Sequence, residues 1–290
     1  MMRTSFQTTH RSNDEMAIGT RNRIRMGDAL ISRLIFGTAQ LFRAGLSPHR
    51  QVLLETAYEQ GMTHFDTAPL YGAGVSEREL GRFLASKPEA TVTTKVGLYF
   101  PGGADQIEAL IALRKGLGRR FRPLSRSIEN MDLEHAKRSF EGSLRRLRRE
   151  RVELLMLHEP IAGQFERDDW QSWLEAEKSS GRIGDYGIAV APERLETFLA
   201  SGEGPLGITQ VHDSLDGREA EPLLSHGLPL QITFGYIGSA VKAGRTDVVD
   251  SLCRAMQRNR DGAIVVSTRH VDRVLTMGRA LRRFETSLID

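Results

Sequence analysis

Asp66, Tyr71, Lys95 and His158 are the residues of this chain whose types and order could carry chemistry. Asp66 closes the run Met62-Thr63-His64-Phe65, and Lys95 closes Thr91-Val92-Thr93-Thr94. His158 closes Val152-Glu153-Leu154-Leu155-Met156-Leu157, and Tyr71 follows Asp66 closely. A carboxylate, a phenol, an ammonium and an imidazole brought together would make a proton-donating site suited to reducing a carbonyl. A tyrosine hydroxyl has a reference pKa near 10, too high for an efficient acid at neutrality. A lysine ammonium at about 4 Å, with an effective dielectric near 20, favours the phenolate by roughly 4 kcal/mol, or about three pK units before desolvation. The expectation is that Lys95 brings Tyr71 down toward neutral pH. Asp66 then keeps Lys95 charged and in place, and His158 donates a hydrogen bond to the carbonyl oxygen. Each residue alone has a plainer reading: a strand-end turn, a rim aromatic, a salt-bridge partner, a core histidine. Their shared position at or just past the ends of successive apolar runs favours the catalytic one.

Those runs belong to a repeating pattern. Short β-type segments alternate with longer amphipathic stretches, which predicts an α/β fold with a parallel sheet. The strands are expected at Arg33–Gly37, Thr63–Asp66, Thr91–Lys95, Val152–Leu157, Asp185–Ala189, Ile208–Val211, Pro229–Phe234 and Ala263–Val266. Helices are expected at Pro48–Gln60, Ser76–Ser86, Asp132–Arg149, Asp168–Ser180, Pro192–Ala200, Arg218–His226, Thr246–Arg258 and Val271–Arg283. This count fits a single-domain (β/α)8 TIM barrel, a fold of about 250 residues whose chemistry collects at the carboxyl ends of the strands. Residues 1–22 read as a flexible N-terminal tail and 23–290 as the barrel. The acids Asp14 and Glu15 argue against a transit peptide in that tail. The segment Val96–Met131 is longer than an ordinary connection, as lids and binding loops tend to be.

Composition excludes several classes. Forty basic against 37 acidic side chains leave a net charge of +3, too mild for a nucleic-acid binder. No apolar run is long enough to span a membrane. A single cysteine, Cys253, allows no intrachain disulfide, so a cytoplasmic location is expected, with Cys253 in the core. The eight histidines form no closely spaced ligand pair, so no metal is expected. No obligate protein partner is evident.

The stretch Gly61-Met62-Thr63-His64-Phe65-Asp66-Thr67-Ala68-Pro69-Leu70-Tyr71-Gly72 resembles the signature of the aldo/keto reductases. The resemblance continues through Ser76-Glu77-Arg78-Glu79-Leu80-Gly81, Thr94-Lys95 and Ser143-Leu144-Arg145-Arg146-Leu147. It implies NADPH bound across the barrel mouth, with NADH as the alternative cofactor, and a small carbonyl or alcohol as substrate, a sugar among the candidates. It further implies Tyr71 as acid, Asp66 and Lys95 as its tuning pair and His158 as the orienting group. By the same resemblance Gly37 and Thr38 approach the nicotinamide, Asp66 and Gln210 border it, and Phe234 stacks on it. Ser267, Thr268, Arg269 and Arg273 resemble the clamp on the 2′-phosphate, where an arginine fork suits a phosphate. The sequence departs from the family after the fifth strand. Gly187-Ile188-Ala189-Val190 stands where the family usually has Gly-hydrophobic-Ser-Asn, so two groups that hold the carboxamide are missing. An asparagine that often meets adenine is replaced by Met277.

Other signals carry less. Gly72-Ala73-Gly74 opens like a Rossmann fingerprint, but Glu77 stands at its third glycine. Arg145, Arg146, Arg148, Arg149 and Arg151 read as a solvated helix end, with a polyanion site as the second reading. Arg114, Lys115, Arg119, Arg120, Arg122 and Arg126 read as a hydrated loop, or as receivers of an anionic substrate. A nicotinamide-binding barrel with little turnover, acting as a redox sensor or partner-binding module, is the alternative function. A lyase using Lys95 as a Schiff-base amine would need a depressed lysine pKa, which Asp66 opposes.

Overall fold

Successive side chains of a strand point to opposite faces, so a strand in a closed barrel sends one set inward and the other toward the helices. A computed structural model describes residues 22–106, 109, 111, 113, 114, 126–202 and 204–288, and this alternation organises it. The elements in chain order begin with β1 (Arg23–Met26), β2 (Ala29–Ser32), β3 (Leu34–Gly37), α1 (Ser47–Glu59), β4 (His64–Asp66) and α2 (Val75–Leu84). There follow β5 (Thr91–Val96), β6 (Leu98–Tyr99), β7 (Ile128–Glu129), α3 (Leu133–Leu147), β8 (Val152–His158), α4 (Arg167–Ser179), β9 (Ile183–Val190) and α5 (Pro192–Ala200). The chain continues with β10 (Ile208–His212), α6 (Glu221–Ser225), β11 (Ile232–Phe234), α7 (Tyr236–Lys242), α8 (Val248–Arg258), β12 (Ala263–Val266) and α9 (Val271–Thr286). Strands β3, β4, β5, β8, β9, β10, β11 and β12 pair in parallel in that order, and β12 closes on β3. This is the single-domain (β/α)8 barrel.

Two apolar layers follow from the alternation. Leu34, Phe36, Phe65, Val92, Leu155, Leu157, Ile188 and Val211 face the helices and join the main core. Ile35, Leu154, Met156, Ala189, Ile208, Ile232 and Ala263 form a second cluster inside the barrel. Met26, Ala29 and Ile31 of the antiparallel β1–β2 hairpin join that inner cluster and plug the amino-terminal end.

The differences from expectation have local causes. The hairpin is too short to show a period of its own. Within the long excursion, β6 and β7 pair antiparallel, while Lys115, Arg119, Arg120 and Arg122 lie outside the described residues, as do residues 1–21 of the expected tail. Arg114 donates to the Pro101 carbonyl at 2.6 Å. The sixth expected helix shrinks to Glu221–Ser225, with Arg218 upstream of it at φ +48°. The short helix α7 was not expected, nor is all of Arg145–Arg151 a solvated face. Arg146 is only 7% exposed, and Arg149 reaches the Leu84, Lys87 and Ala90 carbonyls at the carboxyl end of α2. Exposed helix-terminal carbonyls attract a cation there. Cys253 is buried as expected.

His64 shows how the barrel interior handles polarity. It is fully buried on the inward face of β4, with its ring nitrogens 2.7 Å from the Thr91 and Thr93 hydroxyls. Burial, and then the charge of Lys95, push its pKa down to about 3. The ring is therefore neutral when folded and protonates near 6.5 when unfolded. Its stability contribution is complete above pH 6.5 and is lost as pH falls toward 3, by up to about 1.4 kcal/mol per pH unit. Unfolding by denaturant across that window should show a steep pH dependence that His64→Gln flattens; an unchanged slope would refute the assignment.

Candidate active site

The inward parity of each strand places the polar side chains at the carboxyl ends. Asp66 ends β4, His158 ends β8 and Phe234 ends β11, while Lys95 and Gln210 lie near the ends of β5 and β10. They border a cavity of about 730 Å³ together with Tyr71. Tyr71 lies in the turns after β4, where its N–H donates to the Ala68 carbonyl at 3.0 Å and the Tyr71 carbonyl accepts from Ser76 N–H at 3.2 Å.

Lys95 is the hub. Its ammonium, 1% exposed, donates to both Asp66 carboxylate oxygens at 2.6 Å and to the Thr67 carbonyl at 3.0 Å. The Tyr71 hydroxyl lies 3.5 Å away. Burial alone would lower the lysine pKa, but Asp66 and Tyr71 outweigh it and the net direction is up. Such a lysine stays charged, which disfavours a Schiff-base role. Gln210 donates to Asp66 Oδ2 at 3.1 Å, while its Oε1 is buried without a partner.

Tyr71 departs from the sequence expectation. Its pKa stands above the ordinary tyrosine value rather than below it. Desolvation at the wall of the cavity raises it, the Lys95 charge lowers it, and Asp66 raises it again. Burial is the largest of these effects, and the expectation had weighed the phenol against Lys95 before desolvation. His158 meets Tyr71 edge-on, with ring centroids 6.1 Å apart. Burial, followed by Lys95 and Arg194, holds its pKa well below the usual value, so the imidazole is neutral, and its Nδ1 is buried without a partner.

The residues expected around a cofactor divide into two groups. Gly37, Asp66, Gln210, Phe234, Ser267 and Arg273 border the cavity. Thr38, Thr268 and Arg269 are not among the bordering residues. The Thr38 hydroxyl and N–H both donate to the Asp66 carbonyl, at 3.0 and 2.8 Å, and so fix the end of β4. Thr268 Oγ1 accepts from His270 N–H at 3.2 Å, ahead of α9, and Arg269 is exposed. Of the pair replacing Ser-Asn, Ala189 borders the cavity while Val190 packs in the outer core.

Sequence reasoning missed Glu159, His212 and, in the segment Gly235–Lys242, every residue but Ala240, all of which border the cavity. His212 could have been found from parity, since it lies two positions beyond Gln210 on the inward face. Glu159 has φ +57°, uncommon for a residue with a side chain, and no local motif announces it. A second cavity of about 610 Å³ shares Ile237, Val241 and Arg273 with the first and reaches Thr276 and Met277.

The buried, unpaired Gln210 Oε1 is an acceptor suited to a carboxamide N–H, and Arg273 stands where the two cavities meet. Gly37 leaves space that a Cβ would remove, because one there would lie 2.8 Å from Val265. These features fit a nicotinamide dinucleotide. Among the described residues no cluster of His, Cys, Asp and Glu could hold a metal, and no helix is long and apolar enough to cross a membrane.

The profile described as the aldo/keto reductase family matches residues 33–226, two thirds of the chain, and the chain belongs to that family. Over 142 residues it is 34% identical to a D-threo-aldose 1-dehydrogenase of a Pseudomonas species, covering 45% of this chain and 40% of that protein. Over 176 residues it is 28% identical to a 6-dehydroglucose reductase of Agrobacterium fabrum, covering 58% and 53%. The matches thus span about half the length of these relatives or less. A glycerol dehydrogenase from Gluconobacter oxydans shares the fold, with a TM-score of 0.68 at 19% identity over 93% of this chain and 95% of that one.

The central ion pair yields a stability prediction. Removing one partner of a buried pair leaves an uncompensated charge and costs about 3–5 kcal/mol. Lys95→Met should show a loss of this size in urea unfolding, and Asp66→Asn combined with Lys95→Met should recover much of it. Equal stabilities of the single and double variants would count against the pair.

Proposed function

We propose that this protein is an oxidoreductase that reduces an aldehyde or ketone with NADPH, or runs the reverse oxidation, with NADH as the alternative cofactor. The observation that carries the reading is the Asp66–Lys95–Tyr71 chain at the barrel mouth, with Lys95 at 2.6 Å from Asp66 and 3.5 Å from the Tyr71 hydroxyl. When bound, the nicotinamide supplies or accepts the hydride. Gln210 Oε1 and Phe234 would hold its ring, and Ser267 and Arg273 its phosphate end.

Tyr71 gives its proton to the carbonyl oxygen as negative charge develops there. Lys95 steadies the resulting phenolate, and Asp66 keeps Lys95 charged. Neutral His158 donates its one N–H to the carbonyl oxygen and orients it. A phenol held above its ordinary pKa stays protonated through the physiological range, which suits donation. Reduction should therefore lose its acid only above about pH 10, and oxidation should accelerate as pH rises.

Glu159 supports a hydroxylated substrate. Its Oε2 accepts from Ala191 N–H at 3.1 Å and lies 3.3 Å from Arg194 Nε. Oε1 has no partner among the described residues, so it can accept from a substrate hydroxyl. The sugar-directed names of the relatives agree with this reading. A second reading, a nucleotide-binding barrel with little turnover in a sensing role, draws on Ala189, which offers no hydrogen bond at the cavity. A reducing compartment such as the cytoplasm fits the single buried thiol.

Tyr71→Phe should abolish carbonyl-dependent NADPH oxidation while nucleotide fluorescence still reports binding; retained turnover would remove Tyr71 as the acid. Wild type that binds NADPH and reduces no carbonyl or oxidises no alcohol would favour the second reading. In Glu159→Gln, the ratio of kcat/KM for glyceraldehyde over propanal should fall about tenfold, the difference between a charged and a neutral acceptor. An unaltered ratio would dissociate Glu159 from the substrate.

A further inference from the structure

A cavity of about 340 Å³ opens on the outer surface between α2 and α3, sharing no residue with the barrel mouth. Arg78, Arg82, Arg145, Arg146 and Arg148 border it, and Asp105 is the one carboxylate among the described residues that do so. Two of the guanidinium groups are neutralised from behind. Arg146 places Nε 2.7 Å from the fully buried Glu77, and Arg82 lies 2.8 Å from Glu79. Arg78 donates to the backbone carbonyls of Ala104 and Gln106 at 2.8 and 2.9 Å, which fixes it against the segment before the cavity. Arg145 and Arg148 are exposed, and among the described residues neither side chain has a hydrogen bond or ion pair.

Two backbone choices keep this wall open. Gly142 lies inside α3, where glycine is unfavourable, and a Cβ there would lie 2.9 Å from Arg146 Nη1. Arg148 adopts the left-handed conformation at the end of α3, φ +54°, a position that glycine fills at least cost. It caps the helix while carrying a cation to the cavity. Asp105, 73% exposed and 3.1 Å from Arg146 Nη1, already supplies one anionic oxygen. Like charges this close repel one another, and a ligand with several anionic oxygens relieves that repulsion. Guanidinium forks pair with phosphate oxygens through parallel N–H bonds.

We propose that this cavity binds a phosphate group, either free phosphate or the phosphoryl end of a small metabolite. Arg145 and Arg148 supply the free donors, and Arg146 forms the fixed floor. The site is separate from the one where a cofactor phosphate would meet Arg273, so the inference does not rest on the proposed reaction.

Isothermal titration of the full chain, saturated with NADP and at matched ionic strength, tests it with inorganic phosphate and with glucose 6-phosphate. The combined variant Arg145→Gln and Arg148→Gln should weaken binding about tenfold or more, as expected for lost charge-assisted hydrogen bonds. Both side chains are exposed and unpaired, so the variant should retain its wild-type thermal unfolding midpoint. Arg273→Gln should leave the affinity unchanged. Tighter binding of the sugar phosphate assigns the cavity to a metabolite, and equal binding assigns it to free phosphate. No binding to wild type, equal affinity in the combined variant, or loss of binding only in Arg273→Gln overturns the proposal.

Discussion

The buried pair between Lys95 and Asp66 is the constraint around which the rest is arranged. Two charges taken out of water are tolerated only when geometry and additional hydrogen bonds satisfy both groups. Here Asp66 receives two contacts from Lys95 and one from Gln210, while Lys95 also reaches the Thr67 carbonyl. Thr38 ties the Asp66 backbone to the end of β3. Strands β3, β4, β5 and β10 are thus joined at one point by polar contacts, and Tyr71 hangs from that point. The same satisfaction that makes the pair tolerable weakens its pull on the phenol, because Asp66 raises the phenol pKa that Lys95 lowers.

Much of this was legible in the sequence, for a physical reason. The alternation of strand residues is strict, so an apolar run ending in Asp66, Lys95 or His158 announces a polar group at a barrel rim. What was not legible depended on contacts between distant segments. The β1–β2 hairpin reveals its purpose only when Met26 and Ile31 meet Ile35 and Ile208. Arg146 looked like a surface cation until Glu77, buried on α2, appeared opposite it. The direction of the Tyr71 shift needed the competition among burial, Lys95 and Asp66, and pairwise reasoning stopped at the second of these.

The wall opposite Asp66 is held by a different device. Asp213, fully buried, accepts from the Tyr236 hydroxyl and from Arg258 Nε at 2.6 Å each, and its own N–H bonds the Phe234 carbonyl at 2.8 Å. The segments after β10 and β11 are therefore pinned to α8, and Phe234 is presented on a firm support. This rigidity contrasts with the Ala189 side, where packing replaces hydrogen bonding. The two sides of the cavity divide the work of holding a flat ring unequally.

The hairpin that stoppers the barrel has a consequence for traffic. With Met26, Ala29 and Ile31 packed into the amino-terminal end, the cavity that reaches Gln210 among the described residues lies at the polar mouth. If a cofactor and a substrate share that mouth, as the proposed reaction requires, they must queue. The guest seated against the floor enters first and departs last, so the pace of a cycle can be set by the exit of the deeper guest rather than by the bond that changes.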